Sequence, residues 1–179
     1  MEIIRKIDAV LSKIDKFLMV VLASLATILA FINVVARYLF NSSFVWAGEL
    51  VTYLFIWMTL FGASYGFEIG MHMSFDALVK ALPPKLCKAV TIFSTLIVLV
   101  FLILLTVWGI NLVKFDYMTG QVSIDLQIPF WIIYLAVPIT MATASWRTFV
   151  KLIEIIKTPG IELKKRGPAE LEEAEEVGS

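Results

Sequence analysis

Apolar residues in this chain gather into four long blocks, 17–39, 44–67, 89–113 and 128–149, with short polar intervals between them. Each block exceeds the roughly 20 residues a helix needs to cross a bilayer. The pattern therefore predicts an all-α integral membrane protein of four transmembrane helices, with little chain left for a soluble domain. The lead-in, 1–16, has a different period. Ile3, Ile7, Val10 and Ile14 recur at helical spacing, while Arg5, Lys6, Asp8, Lys13 and Lys16 take the other face. That reads either as an amphipathic helix on the membrane surface or as a solvated lead-in to the first span. A cleaved signal peptide fits less well, because the apolar run continues through Ala36, beyond the roughly 7–15 residues of a signal core.

The first two blocks meet across the very short turn Asn41-Ser42-Ser43, so the segment 33–70 is a helical hairpin. Arg37 near the end of one arm and Glu49 near the start of the other are charges within apolar segments, which need a reason. The turn brings them close enough to expect an ion pair. Along the second block, Trp46, Glu49, Tyr53, Trp57, Leu60 and Ser64 form a stripe at spacings of three and four. Lower down, Gly62, Gly66 and Gly70 repeat every four residues, a spacing that lets helix backbones approach in lipid. Interfacial aromatic belts and the ordinary glycine content of membrane helices are the plainer reading.

Between the second and third blocks, Ser74 is placed to cap a short interfacial helix with Phe75, Leu78, Val79 and Leu82 on its apolar face, ended by Pro83-Pro84. The third block is nearly featureless, a lipid-facing or packing helix. Its Thr91, Ser94, Thr95 and Thr106 are able to bond their own backbone. The fourth opens at Pro129. It carries Tyr134, a kink expected at Pro138, and a small-residue face of Ala136, Thr140 and Ala144. From 151 to 179 the sequence reads as a charged tail, leaving 17–150 as the membrane domain.

Composition agrees: 60% hydrophobic and 17% charged residues, against about 45–50% and about 25% in soluble domains. A net charge of zero gives no field pointing to nucleic acid. Orientation follows from lysine and arginine placement. Thirteen lie in the N-terminal segment, the second connection and the C-terminal region; only Arg37 and Lys114 lie on the other side. The positive-inside rule then puts both termini in the cytoplasm and the hairpin tip outside.

Catalytic chemistry finds little support. The chain lacks a Walker motif and any Cys/His cluster at metal-ligand spacing. Its single histidine, His72, rules out bis-histidine haem held by this chain alone. Asp76, four residues on, reads as a local hydrogen-bond partner. No cofactor is expected. Transport by the chain alone, with Glu49 as proton or cation carrier, remains an alternative, as does a membrane assembly or redox-anchor role. Against transport alone, the other helices offer almost no polar group at mid-bilayer and no matched broken helices.

Over roughly 15–155 the chain resembles the small membrane subunit of TRAP (tripartite ATP-independent periplasmic) transporters. The residues carrying the likeness are Asn33, Arg37-Tyr38, Phe44, Trp46, Glu49, Trp57, Gly62, His72, Asp76 and Leu82-Pro83, then Ser123, Leu126, Ile128-Pro129, Tyr134 and Pro138. Gly48-Glu49 stands where the family often has two acidic residues, and Glu68 where an arginine is common. The resemblance implies a multi-pass protein of the bacterial inner membrane, not an enzyme. It implies an obligate large membrane subunit that holds the sodium and substrate sites, a periplasmic binding protein, and surrounding lipid. It also implies uptake of an organic acid such as a C4-dicarboxylate or sialic acid, with this chain enlarging the static scaffold.

Overall fold

The protein was analysed as a computed structural model in which residues 2–42, 44–68 and 83–158 are described, with side chains from Asp8 onward. The expected interfacial helix between the second and third blocks, Gly70, His72, Asp76 and the chain after Thr158 lie outside the described residues. The helices are α1 (Glu2–Phe40), α2 (Val45–Glu68), α3 (Pro84–Thr119), the short α4 (Phe130–Tyr134) and α5 (Ala136–Lys157). Beyond them, the described residues hold one isolated antiparallel bridge, Val122 with Pro129. The all-helical expectation therefore holds.

Among the described residues, three stretches are long and apolar enough to cross a membrane: Asp8–Phe40, Val45–Phe67 and Pro84–Thr119. The fourth block behaves differently from the expected continuous span 128–149. It divides at Leu135 into α4 and α5. Pro138 supplies the reason, because it has no N–H for the Tyr134 carbonyl and its ring crowds that oxygen. The expected kink is this break. α5 also carries Arg147 and Lys151, and it runs to Lys157, so the region read as tail from 151 begins as packed helix. Ile155 there is 1% exposed. Lys88 Nζ donates to the carbonyls of Ile156 (2.7 Å) and Thr158 (3.0 Å), satisfying acceptors at the end of α5.

α1 packs chiefly on α2, while α5 lies between α2 and α3. The small-residue face of α5 is buried as expected, with Ala136, Thr140 and Ala144 all at 0% exposure. The segment 1–16 is no separate element: from Glu2 it forms the first turns of α1. Its described side chains also invert the soluble pattern. Ser12 and Asp15 are buried, whereas Val10 and Ile14 are exposed. Apolar groups turn outward because lipid is no less favourable to them than protein, and polar groups turn inward to find partners.

α3 is not a featureless filler on every side. Thr95, Leu102, Gly109 and Asp116 recur every seven residues and all are buried, forming one packing seam. At Gly109 an added Cβ would lie 3.1 Å from Pro138 Cδ and 3.2 Å from Pro138 N, so the two backbones meet closely beside the break. The opposite face, with Phe93, Phe101 and Trp108, is exposed. Thr91, Thr95 and Thr106 each donate to the carbonyl four residues back, as anticipated.

Candidate functional site

The hairpin between α1 and α2 is closed by an amide rather than a charge pair. α1 ends at Phe40, and Asn41 takes a left-handed conformation (φ 49°) that asparagine tolerates. Phe44 N–H, at the start of α2, donates to Asn33 Oδ1 at 2.9 Å. The expected Arg37–Glu49 ion pair is not formed: Arg37 is exposed, and the Glu49 carboxylate turns to other donors. Trp46 packs beside Phe44 with ring centroids 5.9 Å apart.

Glu49 clasps the connection between α3 and α4. Tyr53 Oη donates to its Oε1 at 2.5 Å, and the main-chain N–H groups of Asp125 and Leu126 donate to Oε2 at 3.0 and 2.9 Å. The connection is shaped for this. Gly120 caps α3 in the left-handed region, and Ser123 N–H donates to the Ile128 carbonyl at 2.9 Å. Ile128 N–H returns to Ser123 Oγ at 3.2 Å, and Gln127 adopts φ 56°. The resulting small hairpin points two successive amides at one carboxylate, a ready anion-binding arrangement. Tyr134 stacks on Phe130, and Tyr117 meets Trp131 edge-on, walling this end with aromatic rings.

A second polar cluster, unforeseen from the sequence, ties α1, α2 and α5 together farther from the hairpin. Asp15 and Arg147, 2% and 3% exposed, pair at 2.8 Å. Ser64 Oγ donates to Asp15 Oδ2 at 3.0 Å and lies 2.8 Å from Thr143 Oγ1. Arg147 Nη1 also reaches the Ser64 carbonyl at 2.8 Å, and its Nε reaches Asp8 at 3.3 Å. The available signal was the stripe Asp8, Ser12, Asp15, spaced four and three, which puts these residues on one helix face. Along α2, fifteen residues separate Glu49 from Ser64, so the two clasps lie about 22 Å apart.

Between the clasps the contacts are mainly apolar. Trp57 lies against Phe61 with centroids 5.9 Å apart, and Gly62 faces Met19 with its added Cβ 3.4 Å from the sulfur. Gly66 is buried. Threonine hydroxyls such as Thr52 and Thr59 are spent on their own helix. The arrangement holds helices in register; it does not place a nucleophile beside a base.

This framework has known counterparts. Residues 15–158 match the DctQ component of the tripartite ATP-independent periplasmic transporters. The chain belongs to this family. The DctQ-family chain is similar to the C4-dicarboxylate TRAP transporter small permease protein of Vibrio cholerae, at 37% identity over 98 residues, 55% of this chain and 42% of the relative. Similarity to the corresponding Rhodobacter capsulatus protein is 33% over 103 residues, 58% of this chain and 45% of the relative. The matched stretch thus spans less than half the length of these two relatives. With the ectoine TRAP transporter small permease protein of Halomonas elongata, identity is 27% over 137 residues, 76% of this chain and 71% of the relative. The DctQ-family chain is thus a multi-pass membrane protein, the small membrane component of a TRAP transporter.

Proposed function

We propose that this small permease component is a static scaffold that supports a large, substrate-carrying membrane subunit in sodium-coupled uptake of an organic acid delivered by a periplasmic binding protein. One observation carries the reading: the carboxylates of Glu49 and Asp15, at opposite ends of the described bundle, are both engaged by protein groups. Glu49 is held by a tyrosine and two main-chain amides, and Asp15 by Arg147 and Ser64. A carboxylate that carried a proton or cation would need to exchange such partners each cycle.

In this reading the fourth block crosses the membrane as α4 plus α5, since buried Arg147 and Lys151 face protein rather than lipid. Both termini lie in the cytoplasm of a bacterial inner membrane, as the lysine and arginine distribution favours. Two relatives named for C4-dicarboxylates support a dicarboxylate over sialic acid, while the ectoine-named relative argues that the small subunit does not set the substrate.

The experiment is co-expression with the large membrane subunit and the binding protein of the same system. Copurification with the large membrane subunit is expected, and sodium-dependent uptake only with all three chains present. Glu49→Gln should lower the yield of assembled transporter and leave sodium dependence per assembled complex unchanged. Lost cation coupling at full assembly, or uptake by this chain reconstituted alone, refutes the proposal.

A further inference from the structure

Two amide side chains lie within the three long helices, Asn33 on α1 and Asn111 on α3. Asn33 is spent on Phe44 N–H, at 2.9 Å. The outward threonines Thr27, Thr52 and Thr59 donate to their own helices. Asn111 is exposed and makes no hydrogen bond among the described residues. Its depth follows from its neighbour Gly109, which packs on Pro138. Pro138 is five residues from Thr143, the partner of Ser64 in the Asp15–Arg147 cluster, and nine from Pro129, at the end of the connection that Glu49 holds. Those separations are about 8 and 14 Å of helix. Asn111 therefore lies between the two polar clasps, in the apolar middle of the bundle. Lipid offers it no partner there, and an unmet amide in hydrocarbon is costly. The side chain is too short to reach the headgroups, as the longer Lys114 one turn on is able to do.

Asn111 belongs to a stripe of exposed side chains on α3: Ile97, Phe101, Leu104, Trp108, then Asn111, Phe115 and Met118. Their spacing alternates four and three, the pattern by which one helix packs along another at a shallow angle. The stripe runs for about 32 Å, close to the hydrocarbon thickness, on the side away from the buried seam of Leu102 and Gly109. We propose that this stripe is the surface on which a membrane-spanning helix of the large subunit packs, with a polar group of that helix hydrogen-bonded to Asn111. The proposal rests on the scaffold role proposed for the chain and adds the surface that fulfils it. A second copy of the chain fits the stripe poorly. In a parallel two-fold pair each residue meets its own copy, so the rings of Phe101, Trp108 and Phe115 would oppose one another. Their bulk would hold the helices apart and keep the two Asn111 amides from meeting. A different helix, with small residues opposite the rings, lets the backbones approach. The chain is the small membrane component of its transporter, so a larger membrane component is the available source of that helix.

The test uses the full chain and the large subunit of the same system, each carrying one fluorophore at its C-terminus. They are reconstituted together in phosphatidylethanolamine–phosphatidylglycerol vesicles, and association is read by energy transfer as the protein is diluted with lipid. The wild-type chain should associate. Asn111→Leu should weaken association about three- to twentyfold, the range of single hydrogen bonds between membrane helices. The melting temperature of the isolated chain should not fall, because the residue faces outward. Leu104→Trp adds bulk within the stripe and should weaken association at least as much. Unchanged association in either variant overturns the surface and leaves the scaffold role standing. A lower melting temperature of the isolated Asn111→Leu chain shows that the amide serves the bundle itself, and overturns the surface as well. Energy transfer between two labelled copies of this chain, lost in Asn111→Leu, assigns the stripe to a second copy and likewise overturns it. No association by the wild type removes the scaffold role, and the surface falls with it.

Discussion

Arg147 gives the sharpest test of how the bundle is held. Its side chain is 2% exposed and reaches Asp15, Asp8 and Ser64 together. Arg147→Met keeps the bulk and removes the charge. Asp15, 2% exposed, then retains only Ser64 as a described donor. Removing one partner of a buried pair costs about 3–5 kcal/mol. At roughly 2–4 °C per kcal/mol for a chain of this size, the melting temperature should fall by about 6–20 °C. Asp8, its side chain 30% exposed, is a weaker contributor, and Asp8→Asn should cost under about 1 kcal/mol. The decisive variant is the double change Asp15→Leu with Arg147→Met. Exchanging a buried pair for apolar groups is often neutral, so the double variant should melt above Arg147→Met alone. The assay is thermal unfolding of detergent-purified protein, arranged as a double-mutant cycle. Effects that add to within about 0.5 kcal/mol, the behaviour of independent sites, would refute the view that these two residues act as one clasp.

Other changes test the remaining contacts. Gly109→Leu should destabilise by about 1–3 kcal/mol through overpacking against Pro138, whereas Gly48→Ala, with open space around its Cβ, should gain up to about 1 kcal/mol of helix propensity; paired thermal melts compare them. Asn33→Ala removes the acceptor for Phe44 N–H and should cost about 0.5–1.5 kcal/mol, read as faster hydrogen exchange at the start of α2. Glu49→Gln should speed exchange at the Asp125 and Leu126 amides and expose the 121–128 connection to protease, with no change in the Asn33 contact. Asp116 is 4% exposed in the last turn of α3, and its Oδ2 has no hydrogen-bond partner among the described residues. Because a carboxylate there also faces the negative end of the helix dipole, Asp116→Asn should raise the melting temperature, and a fall would show that the charge is needed.

The apolar blocks made the helices legible, because span length is a one-dimensional property that hydropathy reports directly. The stripe on α2 was legible too, since Glu49, Tyr53 and Ser64 do share the face that meets the rest of the bundle. What the stripe did not reveal was the partner of each group. Glu49 is bonded by main-chain amides seventy-six and seventy-seven residues away, and a backbone N–H leaves no mark in sequence. Arg37 looked like its partner because the two are close along the hairpin, yet hairpin proximity does not fix which side of each helix a residue occupies. Arg147 and Asp15 went unremarked for a related reason. Both lie near ends of apolar blocks, where lysines and arginines ordinarily sit in water, and only packing of three helices turns them inward.

Register explains why the polar groups lie at two levels rather than along the whole bundle. Between membrane helices there is little hydrophobic driving force, since lipid is as apolar as the side chains it replaces. Apolar contacts between helices, such as Met19 of α1 against Gly62 of α2, therefore tolerate sliding of one helix past another. A slide of one turn, about 5.4 Å, would break every bond of the Asp15–Arg147 cluster and pull Asp125 and Leu126 off Glu49. Two clasps about 22 Å apart also resist tilt, which a single clasp would not. The Gly109–Pro138 contact lets α3 approach α5 where its helix is broken. A bundle fixed at both ends in this way fits the static scaffold proposed above, and the same argument makes Glu49 a poor carrier: its release would free the α3–α4 connection on every cycle.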